Sequence, residues 1–533
     1  MTAKTTHRGI VYLDNAATTP VDPRVVAAMS ACLDPHGAYA NPSSMHGPGR
    51  AARALIEQAR AEVAALVGAE PAQVIFTSGA TESDNLALLG AVRFQRERAT
   101  RHVITSRTEH PAVLDACRQL EREGCAVTYL KPGPGGIVEP AQVEDAWRPE
   151  TLLVSIMHVN NEIGVVNDIA AIGRMCRARG AMFHVDAAQA AGKLPIDVQR
   201  DGIDLLSLTA HKLHGPKGVG ALCVRREPRL GLVPLQYGGG QERGLRSGTL
   251  ATHQLVGLGA AYRIARTEMQ ADAAHITGLR ERLWQALSEL PGVELNGDPL
   301  RRVAGILNVS IDGVEGEALL LALRDLAVSS GSACASTNAE PSYVLRALGR
   351  NDRLAQSSLR LSLGRFTTPD EVDYAADRIR TEVSRLRRCA PVPASATMPS
   401  DDEVDDPRYS AEVVRRLQTL PGSSPLPAAD NVVIARAGDR EQGAEIELRL
   451  ALEGDRVSAA SFSAFGCPHF MAAASWLAEA APGLTQAELA AWDWQTAAAA
   501  LQVPPGKFGR LLTLQDAVRQ AARNWPCATR STV

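Results

Sequence analysis

Between Val11 and Arg388, short apolar segments alternate with longer amphipathic ones, and this alternation constrains the fold more than any other feature. The apolar segments have the length of buried strands: "QVIFTSG", "HVITSRTEH", "TLLVSIMHV", "AMFHVDAAQ", "DLLSLTAHK" and "GALCVR". Stretches with helical periodicity, such as Ala51 to Val67, separate them. Strands that alternate with helices predict an α/β fold with a mainly parallel sheet covered on both faces.

The rest of the chain is predicted to form further units, because 533 residues with 45% hydrophobic composition are too many for one core. A smaller unit is predicted from about Gln270, where "ITGLRERLWQALSEL" is an amphipathic helix and "GILNVSI" a strand. The Pro-, Ser- and Asp-rich segment "APVPASATMPSDDEVDDP" is interpreted as a linker. Beyond it, "EIELRLALEGDRVSAASFSAFG" predicts a hairpin that turns at Glu453-Gly454.

Composition excludes several classes of partner. The net charge of -3 gives no basic excess of the kind that a phosphate backbone requires, so we expect no nucleic-acid partner. Nine cysteines without a CxxC pair indicate a reducing compartment. Neither a signal-peptide core nor an apolar run of membrane-spanning length is present. We therefore expect a soluble cytoplasmic protein that does not bind membranes.

A phosphate-type turn follows one predicted strand, in the region where open parallel sheets bind their ligands. The stretch "TSGATESDN" comes after "VIF" and opens a helix. Gly79, Ala80 and Thr81 would offer backbone N–H groups, a hydroxyl and a helix N-terminus, all of which suit a phosphate. An ordinary helix cap gives the same pattern, so this turn alone decides nothing.

Two further strand ends carry ionisable groups. Asp186 ends the strand of "FHVDAAQ", where a carboxylate is costly unless it meets a cation such as a pyridinium nitrogen. "LTAHKLHGPKG" places Thr209, His211 and Lys212 after the next strand, and a lysine in a closed site can lose its proton and form a Schiff base. A structural ion pair or a surface lysine would explain either residue alone. Their order, after a phosphate-type turn, predicts pyridoxal 5'-phosphate as cofactor.

From "VYLDNAATTP" to "LSLGRFTT" the chain resembles the Isc-type cysteine desulfurases, which are pyridoxal-phosphate enzymes of aminotransferase class V. The matching motifs are "NPSSMH", "FTSGATESDN", "TSRTEH", "MHVNNEIG", "HVDAAQ", "HKLHGPKG", "GGGQERGLRSGT", "SSGSACAS" and "SSLRLSLGRFT". The resemblance implies a PLP-dependent transferase of fold type I over residues 1–389. Its large domain would span about 15–265, and the N-terminal segment with about 266–389 would form a small α+β domain. One departure is "TAHK" in place of a Ser-Gly pair, although Thr209 keeps the hydroxyl.

The resemblance also implies a role for each residue at these motifs. Lys212 would form the Schiff base, His110 would stack on the cofactor ring and Asp186 would pair with the pyridinium nitrogen. Gln189 would bond the phenolic oxygen. The phosphate would be held by Ala80, Thr81, Thr209, His211 and, from the second subunit of a homodimer, Thr249. The carboxylate of L-cysteine would be held by Arg360, Asn41 and Asn161, the last of which would also border the cofactor.

Cys334 lies in "AVSSGSACASTNAE", a run that can neither fill a core nor hold a helix. Without its context it would be an incidental loop thiol. The resemblance implies that its thiolate attacks the sulfur of the substrate, which leaves alanine and a persulfide on Cys334. It is also a candidate transient cluster ligand, and no resident metal is assigned. Five other cysteines are predicted to be buried small residues: Cys32, Cys117, Cys125, Cys176 and Cys223.

After a linker at 390–408, residues 409–533 resemble, more weakly, the scaffold proteins (IscU-like) on which iron–sulfur clusters are built. The matching stretches are "YSAEVV", "FSAFGCPHFMAAASWLAE" and "VPPGKFGRLLTLQDAV". Cys467 matches the middle ligand, whereas the other ligand positions hold Gln442, Ala444, Gly509 and Arg510. Cys467 and His469 cannot hold a cluster by themselves. We therefore expect a degenerate α+β scaffold domain that docks on or regulates the desulfurase, with a sulfur relay through Cys467 as the alternative.

These observations favour a desulfurase that supplies iron–sulfur scaffolds or other sulfur-acceptor proteins. Two alternatives stay open: a selenocysteine lyase of the same class, and a non-catalytic assembly partner that binds the cofactor without turnover.

Overall fold

A computed structural model describes residues 9–98, 100–330, 341–388, 409–429, 431–440 and 443–526. The strands are β1 (Val11–Tyr12), β2 (Val74–Thr77), β3 (His102–Ser106), β4 (Ala126–Leu130), β5 (Thr151–Ser155), β6 (Met182–Asp186), β7 (Leu205–Thr209), β8 (Gly220–Val224), β9 (Val293–Leu295), β10 (Ile306–Ile311), β11 (Leu326–Ala327), β12 (Ser329–Ser330), β13 (Ser358–Ser362), β14 (Val432–Asp439), β15 (Ala444–Glu453) and β16 (Arg456–Phe465).

The α-helices are α1 (Pro23–Leu33), α2 (Gly47–Leu66), α3 (Ala80–Phe94), α4 (Pro111–Arg122), α5 (Pro140–Asp145), α6 (Ile169–Arg179), α7 (Thr252–Ser288), α8 (Gly316–Ala322), α9 (Tyr343–Ala347), α10 (Asp352–Gln356), α11 (Pro369–Arg388), α12 (Ala411–Thr419), α13 (Pro468–Ala480), α14 (Gln486–Ala490), α15 (Trp494–Ala500) and α16 (Phe508–Arg523). Short 3-10 turns occur at Pro71–Gln73, Glu242–Gly244 and Pro505–Lys507. Every helix in the described ranges is too short or too polar to span a bilayer.

A seven-stranded sheet forms the large unit, in the order β2-β8-β7-β6-β5-β3-β4. Only β8 runs antiparallel to its neighbours, β2 and β7, while the other strand pairs are parallel. The central strands are buried along their whole length, as expected where helices cover both faces. The predicted α/β fold with a mainly parallel sheet is confirmed.

The small unit contains the sheet β12-β13-β10-β9, which is antiparallel throughout. The N-terminal strand β1 joins this part of the molecule by pairing in parallel with β11. The connecting helix α7 has 37 residues, whereas the sequence predicted a helix only from about residue 270. Small residues of its first half pack closely against α2: a Cβ on Gly259 would lie 2.6 Å from Ala59 Cα.

The tail after residue 408 consists of the antiparallel sheet β14-β15-β16 with helices packed against it. The strands β15 and β16 form the hairpin predicted at Glu453-Gly454. Buried apolar side chains of the tail are continuous with those of the small unit, in one hydrophobic cluster. The predicted linker, 390–408, lies outside the described residues, and the predicted domain limits stay predictions.

Candidate active site

Most of the predicted site residues lie at one edge of the large sheet, where the parallel strands have their carboxyl ends. Asp186 ends β6 and Thr209 ends the adjacent β7, and Lys212 follows three residues later. His110 follows β3, and Asn161 follows β5. Since carboxyl ends of neighbouring parallel strands share one edge, a single site can be built from segments far apart in sequence.

The phosphate-type turn lies against the end of β7. The strands β2 and β7 both pair with β8, so that Thr77 and Thr209 are each opposite Gly220. A Cβ on Gly220 would lie 2.7 Å from Gly79 Cα, and therefore only glycine allows this approach. The hydroxyl of Thr209 is buried beside the turn without a hydrogen-bond partner among the described residues. A buried orphan hydroxyl at a strand end next to such a turn fits a phosphate ligand.

The other predicted phosphate contacts differ in exposure. Ala80 is partly buried at the first position of α3, and Thr81 is exposed. His211 lies 3.2 Å, Nδ1 to Oγ1, from Thr18. Burial lowers the pKa of His211 to about 4, so that its ring is neutral at pH 7.

Two buried carboxyl groups lie close enough at the site edge to interact electrostatically. Asp186 is 5% exposed, and its Oδ1 accepts a hydrogen bond of 2.8 Å from Ala188 N. Burial raises the pKa of Asp186, and the neighbouring Asp84 adds to the rise. Asp84 is fully buried, and burial raises its pKa to about 7. Asp84 was not among the predicted site residues, although the second acidic residue of "TESDN", on a helix predicted next to the site, was a signal. A cationic ring nitrogen beside Asp186 would offset the cost of its burial.

His110 is fixed by its own helix. Its Nδ1 accepts a hydrogen bond of 3.1 Å from Ala112 N at the start of α4, which orients the ring. Burial lowers the pKa of His110, while the charges of Asp186 and Lys212 act on it in opposite directions. The three side chains are therefore close enough to interact, as the sequence analysis expected.

Arg360 joins three parts of the chain at the site. It is 3% exposed on β13, its Nη1 donates to Asn161 O (3.0 Å) and its Nη2 donates to Asp14 Oδ1 (2.9 Å). Its Nε and the side-chain oxygen of Asn161 are buried without hydrogen-bond partners among the described residues. These atoms can bind a carboxylate and an amine or hydroxyl respectively. Asn41, by contrast, is exposed, and its Oδ1 accepts from Ser43 N (2.9 Å).

Cys334 lies outside the described residues, but the chain on either side of 331–340 is anchored at the site. On one side, Ser329 in β12 pairs with Arg360 in β13. On the other, Ser342 donates to Glu162 and Tyr343 donates to Glu109 O (2.7 Å). The other cysteines predicted to be packing residues are all buried: Cys32, Cys117, Cys125, Cys176 and Cys223.

Two further predicted residues differ in their setting. Gln189 is 2% exposed, and its Nε2 donates to Ala16 O (2.7 Å). Thr249 is exposed. Lys193, which contacts Gln189, was missed, and only its position four residues later in "QAAGK" could have indicated it.

In the scaffold-like part of the tail, cations lie near Cys467, the cysteine at a ligand position. Cys467 is 0% exposed at the start of α13, and burial raises its pKa. Arg510 and Lys507 act on it electrostatically. His469 is 1% exposed, and its ring packs against Tyr409 with centroids 4.9 Å apart. The positive charges of these guanidinium and ammonium groups repel a metal cation and so disfavour its binding at this position. Gln442, at another ligand position, lies outside the described residues.

Comparison with known proteins identifies the family. Residues 11–375 match the class-V aminotransferase family, and residues 409–531 match the NifU-like N-terminal domain family. The chain is 57% identical over 383 residues to the cysteine desulfurase IscS of Pectobacterium atrosepticum, which covers 72% of this chain and 95% of the relative. The chain belongs to the cysteine desulfurases of aminotransferase class V. IscS of Salmonella schwarzengrund gives the same identity and coverage.

Solved structures agree with this family and with fold type I. A NifS-like protein is 36% identical with a TM-score of 0.65, over 70% of this chain and 99% of that one. DndA from Streptomyces lividans is 41% identical with a TM-score of 0.58, over 66% of this chain and 99% of that one. Cysteine desulfurases of this class depend on pyridoxal phosphate, and the tail carries the scaffold-type domain in the same polypeptide.

Proposed function

We propose that this chain converts L-cysteine to L-alanine and carries the released sulfur as a persulfide on Cys334, for iron–sulfur cluster assembly and other acceptors. The similarity to the IscS enzymes carries this proposal, because it spans 95% of the relative's length at 57% identity. Two further observations support it independently: Asp186 and Lys212 lie at the carboxyl edge of the large sheet, and Arg360 of β13 contacts Asn161 at this edge.

The site residues fit pyridoxal phosphate. Asp186 is a buried carboxyl in need of a cation, Thr209 is a buried hydroxyl in need of a partner, and Lys212 follows Thr209 on the same strand end. These residues would hold the ring nitrogen, the phosphate and the aldehyde carbon respectively, with His110 against the ring. When bound, the cofactor supplies an electron sink for the α-carbon of the amino acid.

Three side chains of the protein bind the substrate, accept its proton and take up its sulfur. Arg360, held by Asp14 and by the backbone of Asn161, binds the substrate carboxylate and thereby fixes the α-carbon. Lys212 Nζ accepts the α-proton as general base. The Cys334 thiolate then forms an S–S bond to the substrate sulfur as the substrate C–S bond breaks, and a returned proton completes alanine.

A homodimer completes the site in this proposal. Thr249 is exposed in its own subunit, within a segment that Arg246 ties to Glu82 at the start of α3 (Nε–Oε1 3.0 Å). An exposed hydroxyl on a fixed segment is available to the phosphate site of a second copy. The protein acts in the cytoplasm, where thiols are kept reduced.

The test is to incubate the purified protein with L-cysteine without reductant, alkylate persulfides and map them by peptide mass. We expect stoichiometric alanine and a persulfide on Cys334, and neither product from Lys212→Ala. Alanine release without any persulfide on Cys334 would contradict the proposal. Comparing alanine release from cysteine and selenocysteine separates a desulfurase from a selenocysteine lyase, and cofactor binding without turnover would identify a non-catalytic partner.

The tail is a docking module that packs permanently on the small unit. Lys507 pairs with Glu317 of α8 (Nζ–Oε2 3.0 Å), and Tyr409 donates to the same carboxylate (3.2 Å). Arg385 of α11 donates to Leu417 O (2.8 Å) from a position that is 5% exposed. A shared apolar core with buried polar contacts is typical of a permanent interface.

The setting of Cys467 favours docking over a sulfur relay. A thiol that accepts sulfur must be accessible and partly ionised, whereas Cys467 is fully buried with a raised pKa. In the persulfide mapping we therefore expect label on Cys334 and none on Cys467. Persulfide on Cys467 that disappears in Cys334→Ser would establish the relay instead. Removal of residues 390–533 without effect on turnover or acceptor choice would exclude a regulatory role.

A further inference from the structure

A partly buried lysine contacts the side chain that faces the cofactor's ring oxygen in the proposed function. Lys193 Nζ donates to Gln189 Oε1 at 2.8 Å, and Gln189 Nε2 donates to Ala16 O at 2.7 Å. The contact is local, because both residues lie in the tight turn after β6, where Lys193 N donates to Ala190 O (2.9 Å). Lys193 also lines, with Lys212, a small internal cavity of about 50 Å³.

The two contacts fix which end of the amide faces the site. An ammonium group has three donors and no acceptor, so it can only meet the oxygen of an amide. Gln189 therefore turns Oε1 to Lys193 and keeps Nε2 on the opposite side. One of the two Nε2 hydrogens is used by Ala16 O, and the other is available to a ligand.

We infer that Lys193 is a positioning residue, which locks the Gln189 amide so that it presents a donor to the cofactor's phenolic oxygen. The phenolic oxygen is an acceptor when ionised, so a flipped amide would place oxygen against oxygen. Without Lys193, the contact with Ala16 O alone would orient the amide, and the donor would be held less firmly toward the cofactor. This inference rests on the proposed function, since it takes pyridoxal phosphate as the ligand beside Gln189.

The positive charges around Lys193 act against its ammonium form, whereas an ionised phenolic oxygen of the bound cofactor would act in its favour. Burial, with the charges of Lys212 and Arg360 adding to its effect, lowers the pKa of Lys193 to about 7. The charge of Lys193 in turn contributes to the lowered pKa of His211 and of His214, which lie at the same site edge. A cation or a donor at this position favours ionisation of the phenolic oxygen, so removal of either would make that oxygen more basic.

The inference is tested by pH titration of the visible absorbance of the bound cofactor in the full-length holoenzyme. In Lys193→Met, we expect the apparent pKa of this absorbance change to rise by about one unit. We also expect kcat to fall with little change in KM, because the substrate contacts at Arg360 remain. The conservative Lys193→Arg and the surface control Lys131→Met should titrate as the wild type does.

An unchanged titration in Lys193→Met would overturn the inference. If Lys193→Met loses its cofactor, the same titration is performed with Lys193→Gln, and an unchanged apparent pKa in that variant would overturn the inference. The amide of a glutamine at this position can donate or accept, so it would no longer fix the orientation of the Gln189 amide. Failure of the proposed function would give a different result, because the wild type itself would then show no cofactor absorbance or no alanine release.

Discussion

The hydroxyl of Thr209 shows at the scale of one residue how a buried polar group reports a ligand. It is buried and lacks a partner among the described residues, which destabilises the protein without its cofactor. For Thr209→Val we therefore expect the cofactor-free protein to be equally or more stable, while affinity for pyridoxal phosphate falls about tenfold. Thermal unfolding and equilibrium dialysis measure the two effects.

Thr105 is the matched control for this prediction. Its hydroxyl is also buried on a strand of the same sheet and also lacks a partner among the described residues, but no cofactor contact is assigned to it. Thr105→Val should leave the affinity for the cofactor unchanged. Equal losses of affinity in both variants would show that the effect comes from the sheet and not from a phosphate contact.

At the scale of elements, Gly220 at the start of β8 controls the distance between the phosphate-type turn and β7. A Cβ at this position would lie 2.4 Å from Leu208 O and 2.7 Å from Gly79 Cα, and both are backbone atoms. Gly220→Ala should destabilise the protein by about 1–3 kcal/mol and weaken cofactor retention. The control is Gly278→Ala in α7, where a Cβ meets nothing within 4 Å and alanine favours the helix. Gly220→Ala with wild-type cofactor retention would contradict this account.

At the scale of the whole molecule, Arg385 connects the desulfurase unit to the tail. Its Nη1 donates to Leu417 O, and its Nε donates to Glu382, which is 3% exposed. Arg385→Ala should loosen the interface and raise the alkylation rate of the buried Cys467 at least severalfold. The control Arg282→Ala removes an exposed ion pair with Asp373 and should not change this rate. An unchanged alkylation rate of Cys467 in Arg385→Ala would show that the apolar contacts alone hold the tail.

The same interface gives a pH dependence through Glu315, which precedes α8. Burial raises its pKa from 4.5 to about 7, with Glu317 adding to the rise. A raised carboxyl pKa means that the folded state binds the proton more tightly, so this stabilisation is complete below about pH 4.5 and is lost as the pH rises to 7. Glu315→Gln should be more stable than the wild type by about 1–3 kcal/mol at pH 7 and not at pH 4.5. If the free energy of unfolding changed with pH in the same way for both proteins, this account would be wrong.

The sheet, its ligand edge and the residues at the strand ends could be predicted from the amino-acid sequence. The alternation of apolar and amphipathic segments fixes an α/β architecture locally, and Asp186, Thr209 and Lys212 could be placed because each directly follows a recognisable strand. The hairpin between β15 and β16 was equally predictable, since its strands adjoin in sequence.

The contacts between segments that are distant in sequence could not be predicted, because they depend on how the folded chain packs. Arg360 meets Asp14 across 346 residues, and Gln189 meets Ala16 across 173. The pairing of Lys507 with Glu317 likewise depends on how the tail packs on the small unit. Hydrophobic periodicity carries no information about such partners, because it records which face of an element is buried and not what lies against it.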